Sequence, residues 1–141
     1  MLRPGISAEH FHERQVETLP GRFGLVVTWV EEGRLDAELV LEPWMMAPNG
    51  YLHAASVLLL ADTAAGYATT AHLPEGATNF TTVELKSNFL GTTKEGTIRT
   101  ECRAEHLGRS THVWSATVFG AADRKLALFR CTQLILWPRG R

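Results

Sequence analysis

The sequence contains few cysteines, little net charge and no long uninterrupted apolar run. Cys102 and Cys131 are its two cysteines, and they do not have Cys-x-x-Cys spacing. We therefore expect two buried thiols in a reducing compartment rather than a disulfide framework or a zinc site. The formal net charge of -1 gives no electrostatic reason to expect binding to nucleic acid or to an anionic membrane.

Signals for secretion and for membrane insertion are also lacking. Residues 1–20 are polar and contain several His and Glu, so no secretion signal is expected there. A membrane helix needs roughly 18 consecutive apolar residues, and Asp62 and several threonines interrupt the best candidate. We predict a cytoplasmic protein, and its 141 residues suggest a single domain, 1–141, long enough to bury a core.

The most informative stretch is residues 53–72, HAASVLLLADTAAGYATTAH, which is rich in alanine and leucine. These are strong helix formers, and nearly every side of the resulting helix would be apolar. Asn49-Gly50 precedes it as a turn signal and Leu73-Pro74 ends it. The pattern predicts a helix buried in the core. Asp62 lies in its middle, and a buried acid is costly unless something uses or satisfies it.

The rest of the chain predicts one short helix and six strands. An amphipathic helix is expected over 7–19, with Ser7 as its N-cap and Pro20-Gly21 as its end. From Arg22 the apolar period changes to two, which predicts a β-hairpin with its turn at Glu32-Gly33. Further strands are predicted over 81–90, 97–106, 110–119 and 126–137. The order α, β, β, α, β, β, β, β favours an α+β fold with an antiparallel sheet wrapped around the long helix.

Details of the strands and loops support this arrangement. Small residues share one face of the 97–106 strand, and they leave room for a helix packed against it. They are Ile98, Thr100, Cys102 and Ala104. The loop 42–52 contains an apolar Trp44-Met45-Met46 cluster, which either covers the core or lines an interface or a pocket. His10 and His12 are two residues apart, so they do not share a helix face, and we expect them to be solvated.

Three segments resemble the hotdog-fold acyl-CoA thioesterases of the PaaI type. The segments are Asn49-Gly50-x-x-His53-Ala54-Ala55, Ala61-Asp62-x-Ala64-x-Gly66 and Thr81-Thr82-x-Glu84-Leu85-Lys86. In that family a loop runs into an HGG turn that opens the central helix. An acid follows the His by nine residues, and a strand of this kind follows the helix. The resemblance extends from the hairpin to Trp137 and implies hydrolysis of acyl-CoA thioesters with small to medium or aryl acyl groups.

The resemblance also assigns the reacting groups. The backbone N–H of Ala54 would stabilise the oxyanion, because free amides at a helix N-terminus are preorganised donors aided by the helix dipole. Asp62 would act as the nucleophile or as the general base that activates water. No metal and no redox cofactor is implied, since coenzyme A is part of the substrate.

The spacing of these groups implies two chains. Nine residues at about 100° each place His53 and Asp62 on opposite sides of one helix, roughly 13 Å apart along it. One subunit therefore cannot bring Asp62 to the N–H of Ala54. The resemblance agrees, because hotdog enzymes form their sites between subunits, and it implies a homodimer or a homotetramer.

Further residues receive candidate roles from the resemblance and from their own chemistry. Thr82 would hold the water or the acid, and Gly66, one turn after Asp62, would leave space for the acyl group. Asn49 would contact the substrate, and Arg109, with Lys94, would meet a phosphate of coenzyme A, since arginine suits phosphate oxygens. Ala55 would border the acyl site.

Each of these residues also has a structural interpretation. Asp62 would cap a helix that restarts at Thr63, and His53 would fix the turn by a hydrogen bond rather than transfer a proton. Thr82 would be an ordinary strand residue, and Asn49-Gly50 a simple turn. Arg109 would then be a solvated cation in a hairpin turn.

The sequence departs from the family at three positions. Ala54 and Ala55 stand where the family usually has Gly, and Ala47 stands where it often has Asn or Gln. The added methyl groups narrow the site. These departures support a rival hypothesis, a non-catalytic acyl-CoA binding module. A second rival, acyl dehydration, would need a hydratase-like pairing of an acid with a His, which the sequence does not show.

Overall fold

The computed structural model describes residues 1–138, which form three α-helices, two short 3₁₀ helices (Pro43–Met45 and Ala121–Asp123) and one six-stranded sheet. The helices are α1 (Ala8–Gln15), α2 (Leu19–Phe23) and α3 (Ala54–Ala71). The strands are β1 (Val26–Glu31), β2 (Arg34–Val40), β3 (Asn79–Phe89), β4 (Thr97–Leu107), β5 (Thr111–Phe119) and β6 (Lys125–Leu136). The sheet order is β1-β2-β4-β5-β6-β3, and neighbouring strands are antiparallel. The predicted α+β hotdog architecture is confirmed.

Helix α3 lies across one face of this sheet and forms the centre of the core. Its buried face is made largely of alanine, and Ala64, Ala65 and Ala68 are fully buried. Small side chains let the helix approach the strands closely, and the facing strands supply the larger groups. The predicted inward row on β4 is confirmed, since Ile98, Thr100 and Cys102 are fully buried. No helix within residues 1–138 is long and apolar enough to cross a membrane.

The bounds of α3 agree with the predicted helix to within one residue at each end. His53 is its N-cap and His72 its C-cap. The Nε2 atom of His72 accepts the Gly33 N–H at 2.8 Å, and its Nδ1 lies 2.7 Å from the Ala68 carbonyl oxygen. Because Nε2 is an acceptor, the ring is neutral with its proton on Nδ1. His72 thereby ties the end of α3 to the β1–β2 turn.

The N-terminal helix differs from the prediction. It ends at Gln15, and a second helix, α2, includes the residues expected to stop it. Proline is tolerated in a first helical turn because no intrahelical N–H partner is lost there. A Cβ built on Gly21 would lie 2.1 Å from the Gln15 carbonyl oxygen, so only glycine permits this close approach. Phe11 is buried in the core, whereas Val16 and Leu19 are exposed.

Strand β1 contains a bulge that the period-two pattern did not predict. The register shifts between Val27 and Trp29, so Trp29 is 53% exposed and Val30 pairs opposite the buried Leu35. The prediction that His12 is solvated is wrong. It is half-buried, and its Nε2 accepts the Val27 N–H at 2.9 Å. The His12 side chain thus accepts a hydrogen bond from a backbone N–H of the edge strand β1.

The loop before α3 divides its apolar cluster between core and solvent. Met45 is 2% exposed and packs in the core, whereas Trp44 is 56% exposed. The indole N–H of Trp44 donates to Glu42, and its ring meets the edge of Phe23. The buried hydroxyl of Ser56 donates to the Met45 carbonyl at 2.8 Å. The loop therefore anchors the start of α3.

Candidate active site

The N-terminus of α3 is capped by the first residue of the predicted HAA motif. The Nδ1 atom of His53 accepts the N–H of Ala55 at 2.9 Å, and the His53 carbonyl accepts the N–H of Ser56 at 2.9 Å. Because Nδ1 is an acceptor, the neutral ring carries its proton on Nε2. His53 is therefore an N-cap, a role usually filled by Ser, Thr, Asp or Asn. This geometry supports the structural interpretation of His53.

One amide at this helix end is left over. The Ala54 N–H donates to no acceptor within residues 1–138, and both Ala54 and Ala55 are exposed. The unpaired N–H points from the positive end of an 18-residue helix. Such a donor suits a developing oxyanion. The main chain behind it is held by bonds from Leu52 to Thr92 and from His53 to Met45.

Asn49 is engaged in the turn before the helix. Its Oδ1 accepts the Tyr51 N–H at 3.2 Å, and Gly50 follows with a φ of 85°. The Gly50 N–H donates to Ala47, and the Ala47 N–H donates to Tyr51. This is an Asx turn, with glycine at the left-handed position. The side-chain oxygen of Asn49 is thus already used for turn formation in this chain.

Asp62 lies within an unbroken helix. Because α3 is continuous from Ala54 to Ala71, the interpretation of Asp62 as the cap of a restarted helix is wrong. Its Oδ1 is buried and has no hydrogen-bond partner within the described chain. Burial raises the pKa of Asp62 above its usual value. Within residues 1–138 this oxygen therefore has no hydrogen-bond partner, which is unusual for a buried polar atom.

Two observations indicate which strands lie near Asp62. Burial, with a smaller contribution from the charge of Asp62, raises the pKa of the Cys131 thiol on β6 to about 12. Gly66, one helical turn after Asp62, faces β3, since a Cβ built on it would lie 3.3 Å from the Phe80 ring. Asp62 therefore lies one turn before Gly66 on the helix face that packs against β3, near Cys131 of β6.

A polar pair lies on the same face of those strands. The Thr82 hydroxyl on β3 donates to Oε1 of Gln133 on β6 at 2.7 Å. Gln133 is fully buried, and its Nε2 donates to Cys131 Sγ at 3.4 Å. Sequence reasoning found Thr82 but missed Gln133. The available signal was a polar residue at an inward position of the alternating strand, two residues after Cys131 and two before Ile135.

Arg109 lies far from Ala54 within one chain. It is in the β4–β5 turn, where its guanidinium stacks 4.6 Å above the Trp137 ring. It lines a cavity of about 710 Å³ together with His72 and His112 at the C-terminal end of α3. An 18-residue helix is about 27 Å long. Arg109 therefore lies at the opposite end of α3 from Ala54.

The cavities of a single chain do not contain the predicted reacting groups. The cavity beside Arg109 is not lined by Asp62 or Ala54. A groove of about 490 Å³ lies on the sheet face away from α3, between β3, β5 and β6, and it is lined by Lys86 and Arg130. Neither Asp62 nor Ala54 lines that groove. Neither of these two cavities therefore provides a substrate pocket for Asp62.

Strand β3 borders the region of Asp62 and forms an edge of the sheet. It pairs with β6 on one side only, and its other edge has no neighbouring strand within residues 1–138. Its large side chains are exposed, with Val83 at 56%, Leu85 at 41% and Phe89 at 48%. Long, apolar and unpaired edges are unusual in monomers because they promote association.

Comparison with known proteins agrees with this architecture. The sequence model of the thioesterase superfamily matches residues 49–127, which include the loop before α3, α3 itself and strands β3 to β5. The chain belongs to the thioesterase superfamily. The predicted family and enzyme class, a hotdog-fold thioester hydrolase, are confirmed by this match.

Among curated relatives, the proofreading thioesterase EntH of Klebsiella pneumoniae is 29% identical over 119 residues, covering 84% of this chain and 86% of the relative. The 1,4-dihydroxy-2-naphthoyl-CoA hydrolase of Listeria monocytogenes is 28% identical over 109 residues, covering 77% and 88%. A solved variant of the thioesterase PA1618 from Pseudomonas aeruginosa superposes with a TM-score of 0.90 at 23% identity, covering 96% of this chain and 97% of that one. The structural likeness shows the shared fold.

Proposed function

We propose that this thioesterase hydrolyses acyl-CoA substrates with small to medium or aryl acyl groups to the free acid and coenzyme A. The observation that carries the proposal is the buried, partnerless Oδ1 of Asp62 in a helix whose first N–H, on Ala54, is also unpaired. An acid without a structural partner and a free helix-end amide are the two groups that acyl transfer requires. Two curated relatives carry hydrolase or thioesterase names that fit this chemistry.

The reaction proceeds by attack on the thioester carbonyl carbon. Asp62 either takes a proton from an attacking water or attacks directly to give an anhydride that water then hydrolyses. The carbonyl electrons move to oxygen, where the Ala54 N–H donates to the oxyanion. Collapse re-forms the carbonyl and expels the coenzyme A sulfur, which leaves as the thiol after taking up the proton. Thr82 holds the water. The Phe80 ring packs against Gly66, so the absence of a side chain at Gly66 makes room for Phe80 rather than for the acyl group.

The site is completed by a second copy of the chain. Ala54 and Asp62 are separated by eight residues, or about 12 Å along the helix. One chain therefore cannot present both groups to one carbonyl carbon. Pairing of the exposed β3 edges in a homodimer would bury Val83, Leu85 and Phe89 and set each Asp62 beside the helix N-terminus of the partner. Arg109, remote within its own chain, is then free to meet a phosphate of coenzyme A, and Asn49 and Ala55 border the acyl group.

Complementation between two inactive variants tests the site and its assembly together. Ala54→Pro removes the amide proton, and Asp62→Asn removes the acid. Each variant alone should lose hydrolysis of a panel of aliphatic and aromatic acyl-CoAs, followed with a free-thiol dye. Refolding the two together should restore about a quarter of wild-type activity, because half the dimers are mixed and each has one intact site. Activity that stays absent on mixing would refute the shared site.

A non-catalytic acyl-CoA binding module is the second candidate. Its support is Ala47 in place of the family's amide side chain, together with the engagement of the Asn49 oxygen in the turn. Calorimetric binding of an acyl-CoA without release of thiol by the wild-type chain would establish this candidate and overturn the first.

A further inference from the structure

Gln133 occupies a position that packing alone does not explain. It is fully buried on an inward position of β6, where its neighbours two residues away are Cys131 and Ile135. A buried amide must find partners for both its oxygen and its nitrogen. The oxygen accepts the Thr82 hydroxyl at 2.7 Å, and the nitrogen donates to the Cys131 sulfur at 3.4 Å. Both partners lie on the part of the sheet that Asp62 faces.

The direction of the Thr82 hydrogen bond determines what Thr82 offers to its surroundings. A hydroxyl has one proton and two acceptor lone pairs. Because its proton is committed to Gln133, Thr82 presents only lone pairs to other groups. It can then accept a hydrogen bond from water, but it cannot donate one to the carboxylate of Asp62.

We propose that Gln133 is a positioning residue for thioester hydrolysis, which acts by holding the Thr82 hydroxyl as an acceptor for the water that reacts. The proposal rests on the thioesterase function above. One water hydrogen points to Thr82 Oγ1 and the other to Asp62, so the water's own lone pair faces the acyl carbon. The carboxylate keeps its full basicity because no hydroxyl donates to it.

The balance of the step is simple in either route. In the general-base route the water oxygen forms a bond to the acyl carbon, its proton passes to Asp62 and then to the departing sulfur, and the carbonyl electrons shift to oxygen. In the anhydride route Asp62 is acylated when the water attacks, so the water proton reaches this carboxyl group only as the bond between the acyl carbon and the Asp62 oxygen breaks. The bond that breaks next joins the carbon to sulfur or, in the anhydride route, to the Asp62 oxygen. Thr82 keeps its own proton throughout, and Gln133 undergoes no chemical change.

Three titratable side chains of the sheet lie near Asp62 or Gln133: Cys131, Glu84 and His112. Burial raises the pKa of the Cys131 thiol on β6 to about 12, and Glu84 on β3 adds a small contribution in the same direction. His112 on β5 lies opposite Gln133, and burial lowers its pKa to about 4. Neither Cys131 nor His112 therefore contributes to the acid limb of a pH–activity profile above pH 4, and the Asp62→Asn profile shows which part of that limb depends on Asp62.

A double-mutant cycle tests whether Gln133 acts through Thr82. Gln133→Met preserves volume but removes the acceptor oxygen, and we expect kcat to fall about tenfold, the effect of one oriented hydrogen bond. Thr82→Val should lower kcat by a similar factor. The double variant should have the same kcat as Thr82→Val alone, because Gln133 has no hydroxyl left to orient once Thr82 is valine. Multiplicative losses would overturn the proposal.

The pH–activity profile separates positioning from general support of the fold. In Gln133→Met the freed Thr82 hydroxyl donates to Asp62, which lowers the carboxyl pKa and moves the acid limb of kcat/KM to lower pH. Gln133→Glu keeps the acceptor but adds a second carboxyl, which moves the limb to higher pH. Thr82→Val should leave the limb in place while reducing kcat. A limb that moves upward in Thr82→Val would show that Thr82 donates to Asp62 and would overturn the proposal, even if the Gln133 variants do not fold.

Thr100→Val is the matched control. Thr100 is fully buried on the same face of the sheet, and its hydroxyl donates to the Thr117 carbonyl outside the site. Its variant should lose stability without a change in the acid limb. The two levels of hypothesis fail differently: if wild type hydrolyses no thioester, the proposed function is wrong, whereas an active wild type with unmoved limbs in both Gln133 variants refutes only the role of Gln133.

Discussion

The Nδ1 atom of His53 accepts the N–H of Ala55 at 2.9 Å, and this bond leaves the N–H of Ala54 as the unpaired donor of the helix end. An ordinary N-cap also satisfies one amide near the start of the helix. Here the cap is the His53 imidazole, which lies beside the proposed oxyanion donor. Both the stability of the helix end and the position of the Ala54 amide therefore depend on His53.

Removal of one amide proton should abolish most of the activity without disturbing the fold. Ala54→Pro is well suited, because proline is favoured at the first helical position and His53 already has the extended conformation that precedes proline, with φ -63° and ψ 133°. We expect kcat to fall roughly 10²- to 10³-fold, the effect of losing one oxyanion donor. Circular dichroism should be unchanged. Ala54→Gly, which keeps the amide, should retain most of the hydrolysis.

Two substitutions of His53 distinguish capping from proton transfer. His53→Ala should destabilise the fold by about 1 kcal/mol and lower activity, because the cap is lost and the helix end frays. His53→Asn restores a good N-cap and should recover both urea stability and most of kcat. Recovery of stability with activity still absent would show that the imidazole takes part in the chemistry.

Replacement of Asp62 should decrease activity and increase stability at neutral pH. Burial raises the folded-state pKa of Asp62 above its unfolded value of 3.8, so the folded protein binds the proton more tightly. Stability therefore falls as pH rises through this window and remains reduced above it. Asp62→Asn removes this penalty, and it should reduce kcat by about 10²- to 10⁴-fold.

Urea unfolding at pH 7 and the free-thiol assay test both parts of that prediction. Asp123→Asn is a suitable control, because Asp123 is exposed, pairs with Arg99 and has a positive φ that asparagine tolerates. It should leave kcat near the wild-type value. A destabilised Asp62→Asn protein would indicate that the carboxylate has a stabilising partner.

The protein should lose stability in mild acid through His112. This ring is 1% exposed, its Nδ1 has no partner within the described chain, and burial lowers its pKa from 6.5 to about 4. Between these values the unfolded state binds more protons, so stability falls as pH drops from 6.5 toward 4. The loss is on the order of 2–3 kcal/mol, and burial lowers the pKa of His72 with the same sign.

Urea midpoints measured from pH 7.5 to 4.5 test this dependence. His112→Asn should flatten the curve, whatever its stability at pH 7.5, because an asparagine side chain does not titrate in this range. His10→Asn, at a more exposed position on α1, should keep the wild-type slope. An unchanged slope in His112→Asn would assign the acid sensitivity to another group.

The exposed edge of β3 should control assembly. Leu85→Lys introduces a charge at a position that is 41% exposed in the single chain, so the chain should fold but remain monomeric and inactive. Light scattering after gel filtration, together with the thiol assay, measures both effects. Trp29→Lys is the matched control, since Trp29 is 53% exposed on the opposite edge strand. If Leu85→Lys stays dimeric and active, the interface lies elsewhere.

Local patterns in the sequence predicted the elements that depend on local physics. The alanine-rich run gave α3 to within one residue at each end, because helix propensity and two strong end signals agree there. The inward row on β4 followed from period-two alternation. The bulge in β1 was not predictable from alternation, since Trp29 faces solvent only because Thr28 is unpaired in the register with β2.

The candidate site divides in the same way. His53, Ala54, Asp62 and Thr82 were predicted from spacing and resemblance. In the structure Gly66, one turn after Asp62, packs against Phe80, which lies two residues before Thr82 on β3. Gln133 was missed because its partner is 51 residues away in sequence. Asn49 was expected to contact substrate, and only the fold shows that its oxygen is engaged by Tyr51.

By itself the sequence determined the buried helix, the antiparallel sheet, the position of the acid and the amide end of the helix, because propensity and periodicity act over a few neighbouring residues. The tertiary structure decided which polar atoms have partners. Within residues 1–138 it pairs the Ala55 amide with His53, leaves the Ala54 amide and one Asp62 oxygen without a hydrogen-bond partner, and commits the Thr82 proton to Gln133. Those outcomes depend on strands and helices distant in sequence, since hydrogen bonding requires atoms within about 3 Å of each other in space.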